Sequence, residues 1–322
     1  MRTHVKSVSY RPHRAPVPSA ALARFLRREL ESDPPRASSL IVTVWGDAIA
    51  PVRDDVWLST LFQLLAPFGV NERAVRTGLF RLARSGWFEA EAVGRRSRYR
   101  LTASAIEGFE QAFHRVYDRP FAPWDGTWQG VIVAIDAIGP AVRKRVRDEL
   151  SWAGFARFGA SVFLRPARRD ASLERIAEAL QVGKAMTAFE AHDRLEGTMA
   201  TLRSRTMEAW SLESLASDYQ QFIARFGGVA VADASLDPDP EQAFVLRTLM
   251  MHAYRRVRLR DPQLPRDVLP REWPAARAYM LARKLHRMTR TGATAFASAI
   301  VAGAEEPSPR RSRQLPRFAN PA

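Results

Sequence analysis

The sequence predicts an α+β multidomain protein: an N-terminal winged helix-turn-helix, a middle α+β unit of ferredoxin-like size, and a mainly helical C-terminal part. Three observations carry this. Between residues 55 and 101 two helix patterns are followed by two short strand patterns. From Trp128 the pattern alternates between strand and helix, and from Ser211 onward helical spacing dominates.

Composition bounds the rest. With 322 residues, 46% of them hydrophobic, the chain is long enough for two or three domains, each with its own core. A net charge of +15 favours a polyanionic partner, although charge alone does not separate DNA from RNA or an acidic membrane. Cysteine is absent, which excludes disulfides, thiolate chemistry and zinc–thiolate sites and suits a cytoplasmic setting. There is no apolar run of the length, about 18 residues, that a membrane span needs.

Residues 1–36 hold eight basic and three acidic residues, with one helix pattern from Ser19 to Leu30. They read as a flexible basic arm, either touching phosphates or simply solvated. Pro12, Pro16 and Pro18 interrupt the amphipathic helix of a transit peptide, and no apolar secretory core precedes them. Ser38 to Val44, ahead of Trp45-Gly46-Asp47, is apolar and β-branched and fits a buried strand or a buried helix.

Asp55 to Ala66 has the apolar spacing of a helix that Asp54 or Asp55 can cap. Pro67-Phe68-Gly69-Val70 ends it in a tight turn, and Asn71 stands where an N-cap of a second helix belongs. On that helix Val75, Gly78, Leu79, Leu82 and Ala83 share one face, and Arg73, Arg76, Thr77, Phe80, Arg81 and Arg84 share the other. Such a face suits phosphates and base edges in a major groove; the alternative is a solvated arginine face. Strand patterns at Trp87 to Glu91 and Ser97 to Leu101 flank Val93-Gly94-Arg95-Arg96. A basic hairpin tip after a basic helix is the wing of a winged helix, with Arg95, Arg96 and Arg98 as its DNA contacts.

Ala103 to Val116 is a linking helix and Trp124 to Trp128 a turn-rich junction. The middle unit reads as a strand from Gln129 to Ile135, a helix from Pro140 to Trp152, a strand from Ala156 to Leu164, a helix from Ser172 to Leu180 and a strand from Ala185 to Ala191. Helices follow at Leu212 to Phe226, Pro240 to Val257 and Pro274 to Met288, with a proline-rich, defined connection after Leu259. The expected domains are the arm (1–36), the reader (37–103), a linker and junction (104–127), the middle domain (128–200), the helical domain (201–304) and a disordered tail (305–322).

GVNERAVRTGLFRLARSGWFEAEAVGRRSRYRLT resembles the winged-helix segment of the PaaX-like regulators, the phenylacetic-acid-catabolism repressor family. LRTLMMHAYRRVRLRDPQLPRDVLPREWPAARAYML, from Leu246 to Leu281, is similar to that family's C-terminal domain. The resemblance covers roughly 38–291. It implies a helix at Ser38 to Val44 and a middle domain like the small Cas2 nucleases, while the lack of catalytic motifs gives the expectation of no enzyme activity and no cofactor. It further implies a repressor released from double-stranded operator DNA by an aryl-acyl-CoA such as phenylacetyl-CoA; a cytoplasmic homodimer is expected, since one winged helix rarely supplies the specificity a genome demands.

Candidate sites for other chemistry are sparse. The six histidines show no metal-ligand spacing, so no metal site is expected, and no phosphate-binding glycine loop or nucleophile elbow occurs. Asp136 falls where Cas2 nucleases keep a metal-binding carboxylate, but one carboxylate without a second ligand is a poor metal site, and an Asp before Gly139-Pro140 is more often a turn or cap residue. Between Arg247 and Arg290 twelve basic residues face three acids, interleaved with Tyr254, Trp273 and Tyr279. Arg255, Arg256 and Trp273 are the candidate effector contacts; the alternative is a solvent-facing or subunit-interface role for these arginines. A metal-dependent nuclease and a sequence-independent packaging protein are the competing functions. Exposed Thr77 and Phe80, which are not charge groups, favour base-edge readout over packaging.

Overall fold

Two sheets and the helices packed around them account for the computed structural model, which describes residues 20–121, 123–168, 171–192, 206–231, 238–303 and 317–318. The first stretch of the expected arm, 1–19, lies outside the described residues. The rest of it is no free arm. Helix α1 (Ala20–Ser32) buries Leu22 and Leu26, one turn apart on a single face, and Arg225 reaches its buried Glu29 in a salt bridge.

Helix α2 (Ala37–Val44) resolves the ambiguous β-branched run as a helix, with every residue from Leu40 to Val44 buried. It continues as one π-turn, Trp45–Ile49, closed by the Ala50 N–H donating to the Trp45 carbonyl at 2.8 Å. The helix expected from Asp55 begins three residues late. Asp55–Trp57 is instead strand β1, because Val56 and Trp57 bury themselves by pairing with a later strand, and helix α3 (Leu58–Leu65) follows. Gly69, at φ 71°, makes the turn into helix α4 (Glu72–Arg84). Strands β2 (Phe88–Val93) and β3 (Arg96–Leu101) form a hairpin that joins β1 in the order β1-β3-β2. Gly94, at φ 60°, opens its two-residue loop.

Helix α5 (Ala103–Tyr117) leads to the middle unit: β4 (Thr127–Val133), α6 (Pro140–Trp152), β5 (Ala156–Arg157), β6 (Val162–Pro166), α7 (Ser172–Ala179) and β7 (Met186–His192). The βαββαβ order and the antiparallel sheet β5-β6-β4-β7 are those of a ferredoxin-like fold. The single strand expected from Ala156 to Leu164 is in fact β5 and β6, separated by a turn that includes Gly159. Gly130 of β4 lies under the Phe189 ring of its partner strand, where a Cβ would meet the ring at 2.2 Å. Val131, Val133, Val146, Leu150, Phe163 and Ile176 form a separate small core.

Beyond the middle unit the described residues include the helices α8 (Leu212–Val231), α9 (Pro240–Arg258), α10 (Ala275–Met288) and α11 (Arg290–Gly303). The sequence reading lacked α11, whose small-residue face gives little apolar periodicity. It packs by closeness instead, Gly292 lying where a Cβ would meet the Ala243 Cβ at 2.8 Å. One apolar core runs from Leu22 through α2, α3 and α4 into α8, α9, α10 and α11. Of the expected tail, 305–316 and 319–322 lie outside the described residues; within it Phe318 is buried in that core and Arg317 donates to the Gly46 carbonyl at 2.9 Å. The proline-rich segment docks on α5 and on the middle domain, since Arg115 of α5 donates to the carbonyl of Asp261 and Arg168 to that of Pro262.

Candidate nucleic-acid interface

Helix α4 owes its placement to local chemistry at three points. The Asn71 side chain accepts the Ala74 N–H at 2.9 Å and caps the first turn. Val75, Leu79 and Leu82 are buried, each worth about 1.5–3 kcal/mol of apolar burial. Gly78 lets the helix lie directly against the start of α2, where a Cβ would meet Ile41 Cδ1 at 3.0 Å and the Ser38 backbone nitrogen at 3.1 Å.

The opposite face stays uncovered. Arg73, Arg76, Thr77, Phe80, Arg81 and Arg84 are all exposed, Phe80 at 62%. Arg73 and Arg81 have no carboxylate partner among the described residues. Arg76 leans aside, over the Phe62 ring at 4.9 Å and 3.5 Å from Glu72, while Arg84 stands 5.9 Å from the Phe80 ring. Thr77 donates its hydroxyl to the Arg73 carbonyl at 2.9 Å, so it presents a methyl group and oxygen lone pairs outward rather than a free donor. A groove between the N-terminus of α2 and α4 is lined by Arg36, Ser38, Asn71, Arg73, Thr77 and Arg81. The sequence reading missed Arg36 and Ser38, because only the packing of α2 on α4 brings them beside the arginine face.

The hairpin sorts its arginines. Cross-strand pairs join Glu91 to Arg98 at 2.9 Å and Glu89 to Arg100 at 2.7 Å. Arg98 also pairs with Asp55 at 3.2 Å and lies 5.7 Å from the Trp57 ring, so it ties the sheet together rather than offering an unpaired charge. The tip is left with exposed Arg95 and with Arg96, which stands 6.0 Å from Trp57.

The expected effector contacts do not converge. Arg255 turns back to α2, donating to the Ser39 carbonyl at 3.2 Å, and burial pushes its guanidinium down to about 10. Arg256, one residue and so about 100° further round the helix, faces solvent, and Trp273 is buried edge-on to Tyr219. Arg258 is buried against Asp261, and Arg260 pairs with Asp218 at 2.7 Å.

Buried side-chain contacts join α2 and its π-turn to the helical part. In the π-turn, Asp47 accepts from Arg247 at 2.6 and 3.1 Å and from the Tyr117 hydroxyl at 2.9 Å, with His286 Nε2 at 3.5 Å. Burial opposes its charge, but Arg247 and the other cations win and hold its carboxyl well below the usual range. One turn earlier Thr43 Oγ1 bonds His252 Nδ1 at 3.0 Å, and burial, then Arg255 and Arg256, lowers that imidazole to about 4. A single acid in an otherwise apolar stretch was the one sequence signal for this junction. Asp136 sits exposed on a one-turn helix, and no group of three His, Asp or Glu side chains gathers among the described residues.

The chain matches a family model described as PaaX-like protein over 36–105. It matches the PaaX protein central Cas2-like domain over 121–203 and the PaaX-like protein C-terminal domain over 210–299. It is 31% identical over 279 residues to the transcriptional repressor PaaX of Escherichia coli (strain K12), covering 86% of this chain and 88% of that one. Among solved structures it resembles an uncharacterized protein from Mycobacterium tuberculosis, with a TM-score of 0.51 and 24% identity, over 82% of this chain and 98% of that one.

Proposed function

Because the chain belongs to the PaaX-like family, a family of transcriptional regulators rather than enzymes, we propose that it is a sequence-specific DNA-binding repressor. The observation that carries the reading is the uncovered face of α4, with Arg73, Thr77, Phe80, Arg81 and Arg84 side by side on a helix anchored from behind. In this reading α3, the turn and α4 form the helix-turn-helix and β2–β3 the wing. Helix α4 enters the major groove with its N-terminal part foremost, and Arg95 and Arg96 grip a flanking phosphate strand.

A single reader of this size seldom meets the specificity a genome demands, so the functional unit is a homodimer on a two-fold operator in the cytoplasm. No described helix is long and apolar enough to cross a membrane. The regulated genes encode the breakdown of an aromatic acid, and an aryl-acyl-CoA such as phenylacetyl-CoA releases the protein from DNA. The contacts between α2 and α9 support that coupling, since they tie the reader to the helical part. The test is a titration of labelled duplex, selected by the protein from a random pool, with and without phenylacetyl-CoA. Tight binding that the thioester weakens about a hundredfold, which requires about 2.7 kcal/mol of coupling, is expected. Equal affinity for selected and scrambled duplex would overturn the repressor reading.

A further inference from the structure

Phe318 occupies a cage of four rings. Its centroid lies 5.1 Å from Tyr117, 5.2 Å from His286, 5.5 Å from Tyr279 and 6.3 Å from Tyr254, and the side chain is 6% exposed. The cage is drawn from α5, α9 and α10, so its walls come from three elements and its filling from a fourth, distant in sequence. The fit is imperfect in two ways. Phe318 holds a left-handed backbone, φ 51°, that a phenylalanine rarely adopts. The hydroxyls of Tyr254 and Tyr279 face the guanidinium groups of Arg258 and Arg119, which can only donate, and a hydrocarbon ring offers no acceptor for their own O–H groups. Arg283 and Arg119 act electrostatically on Tyr279, placing positive charge beside the cage.

From this we infer that the cage is a binding site for an aryl group bearing a hydrogen-bond acceptor close to its ring, occupied in this structure by the chain's own Phe318. The side chain of Phe318 is a benzyl group, so an arylacetyl group presents the same ring on the same methylene, and adds a carbonyl oxygen of the kind a tyrosine O–H donates to. Displacement has a consequence for the reader. Arg317, next to Phe318, holds the Gly46 carbonyl, stacks over Tyr117 at 5.6 Å and lies 3.8 Å from Asp47, all at the π-turn that follows α2. A ligand that expels Phe318 removes Arg317 from that turn. The pocket stands on geometry alone; its regulatory meaning rests on the DNA-binding function proposed above.

The experiment places 4-fluorophenylalanine at position 318 of the full chain and follows its fluorine resonance while phenylacetyl-CoA or phenylacetamide is added, with thioester binding measured separately by calorimetry. Either probe should shift the resonance from a buried to a solvent-exposed position. Phe318→Ala, with its thermal unfolding checked, should bind the probe about tenfold more tightly, because an occupant filling the site nine-tenths of the time no longer competes. Thioester binding with an unmoved resonance would overturn the cage while leaving the repressor function standing. Displacement by phenylacetamide without thioester binding would support the cage and sink the proposed effector. If neither probe moves the resonance, no aryl group enters and the inference is wrong.

Discussion

Asp47 places a full negative charge where α2, α5, α9 and α10 meet, and the side chains of Arg247, Tyr117 and His286 close over it. Removing one member of a buried pair strands the other, so Asp47→Asn should lower stability by about 3–5 kcal/mol in urea denaturation. A loss under about 1 kcal/mol would show that the guanidinium of Arg247 reaches water. His252 makes a second prediction. Its folded pKa of about 4 lies below the ordinary 6.5, so the native state holds it neutral while the unfolded chain takes up a proton. Stability from this group is therefore complete above pH 6.5 and is lost as pH falls toward 4, on the order of 3 kcal/mol in all. Burial lowers His286 as well and adds a loss of the same sign. Denaturation followed across this window should show the decline, and His252→Gln should flatten it; an unchanged slope in the variant would assign the effect elsewhere. The sequence marked Asp47 only as an acid among apolar residues, since its partners lie 70 to about 270 positions away and no local pattern encodes them.

At the scale of elements, α4 and the hairpin were the most legible parts of the chain. Asn71, the apolar stripe and the Gly94 turn are local signals that the fold keeps. What failed at this scale was decided by tertiary pairing: Asp55–Trp57 has helical spacing with α3 yet gains a strand partner, Asp55 opposite Arg100. Arg98, expected from sequence to contact DNA, is claimed by Glu91 and Asp55. Two predictions separate these roles. Arg95→Ala should leave stability unchanged, weaken all duplexes alike and reduce the salt slope by about one unit, whereas Arg98→Ala should lower the unfolding temperature as well. Binding titrations at several salt concentrations, alongside melting curves, distinguish them; equal melting temperatures for both variants would contradict the assignment. Gly78→Ala gains about 1 kcal/mol of helix propensity but drives a methyl group against Ile41 and the α2 backbone, costing about 1–3 kcal/mol. Net destabilisation in denaturant is expected, and a stabilised variant would mean that α4 can move away from α2 freely.

Across the whole molecule, the N-terminal helices share one apolar core with the C-terminal helices, while the middle domain has a second core and lends Trp128 to the first. Sequence periodicity delimits helices but carries no record of which helices pack together. That is why α1 read as part of an arm and Phe318 as part of a tail, although both belong to that core. The shared core gives the molecule a direct route from the helical part to α4: α9 contacts α2 through His252 and Arg255, and α2 contacts α4 at Gly78. The central claim is that this assembly presents α4 to read bases. It is tested most directly by titrating wild-type, Thr77→Ala and Arg73→Ala proteins against selected and scrambled duplexes at a fixed salt concentration. The reading predicts that at least one substitution lowers the preference for the selected duplex by about 1–3 kcal/mol while leaving scrambled binding nearly intact. Equal losses on both duplexes for both variants would show that α4 contacts only phosphates.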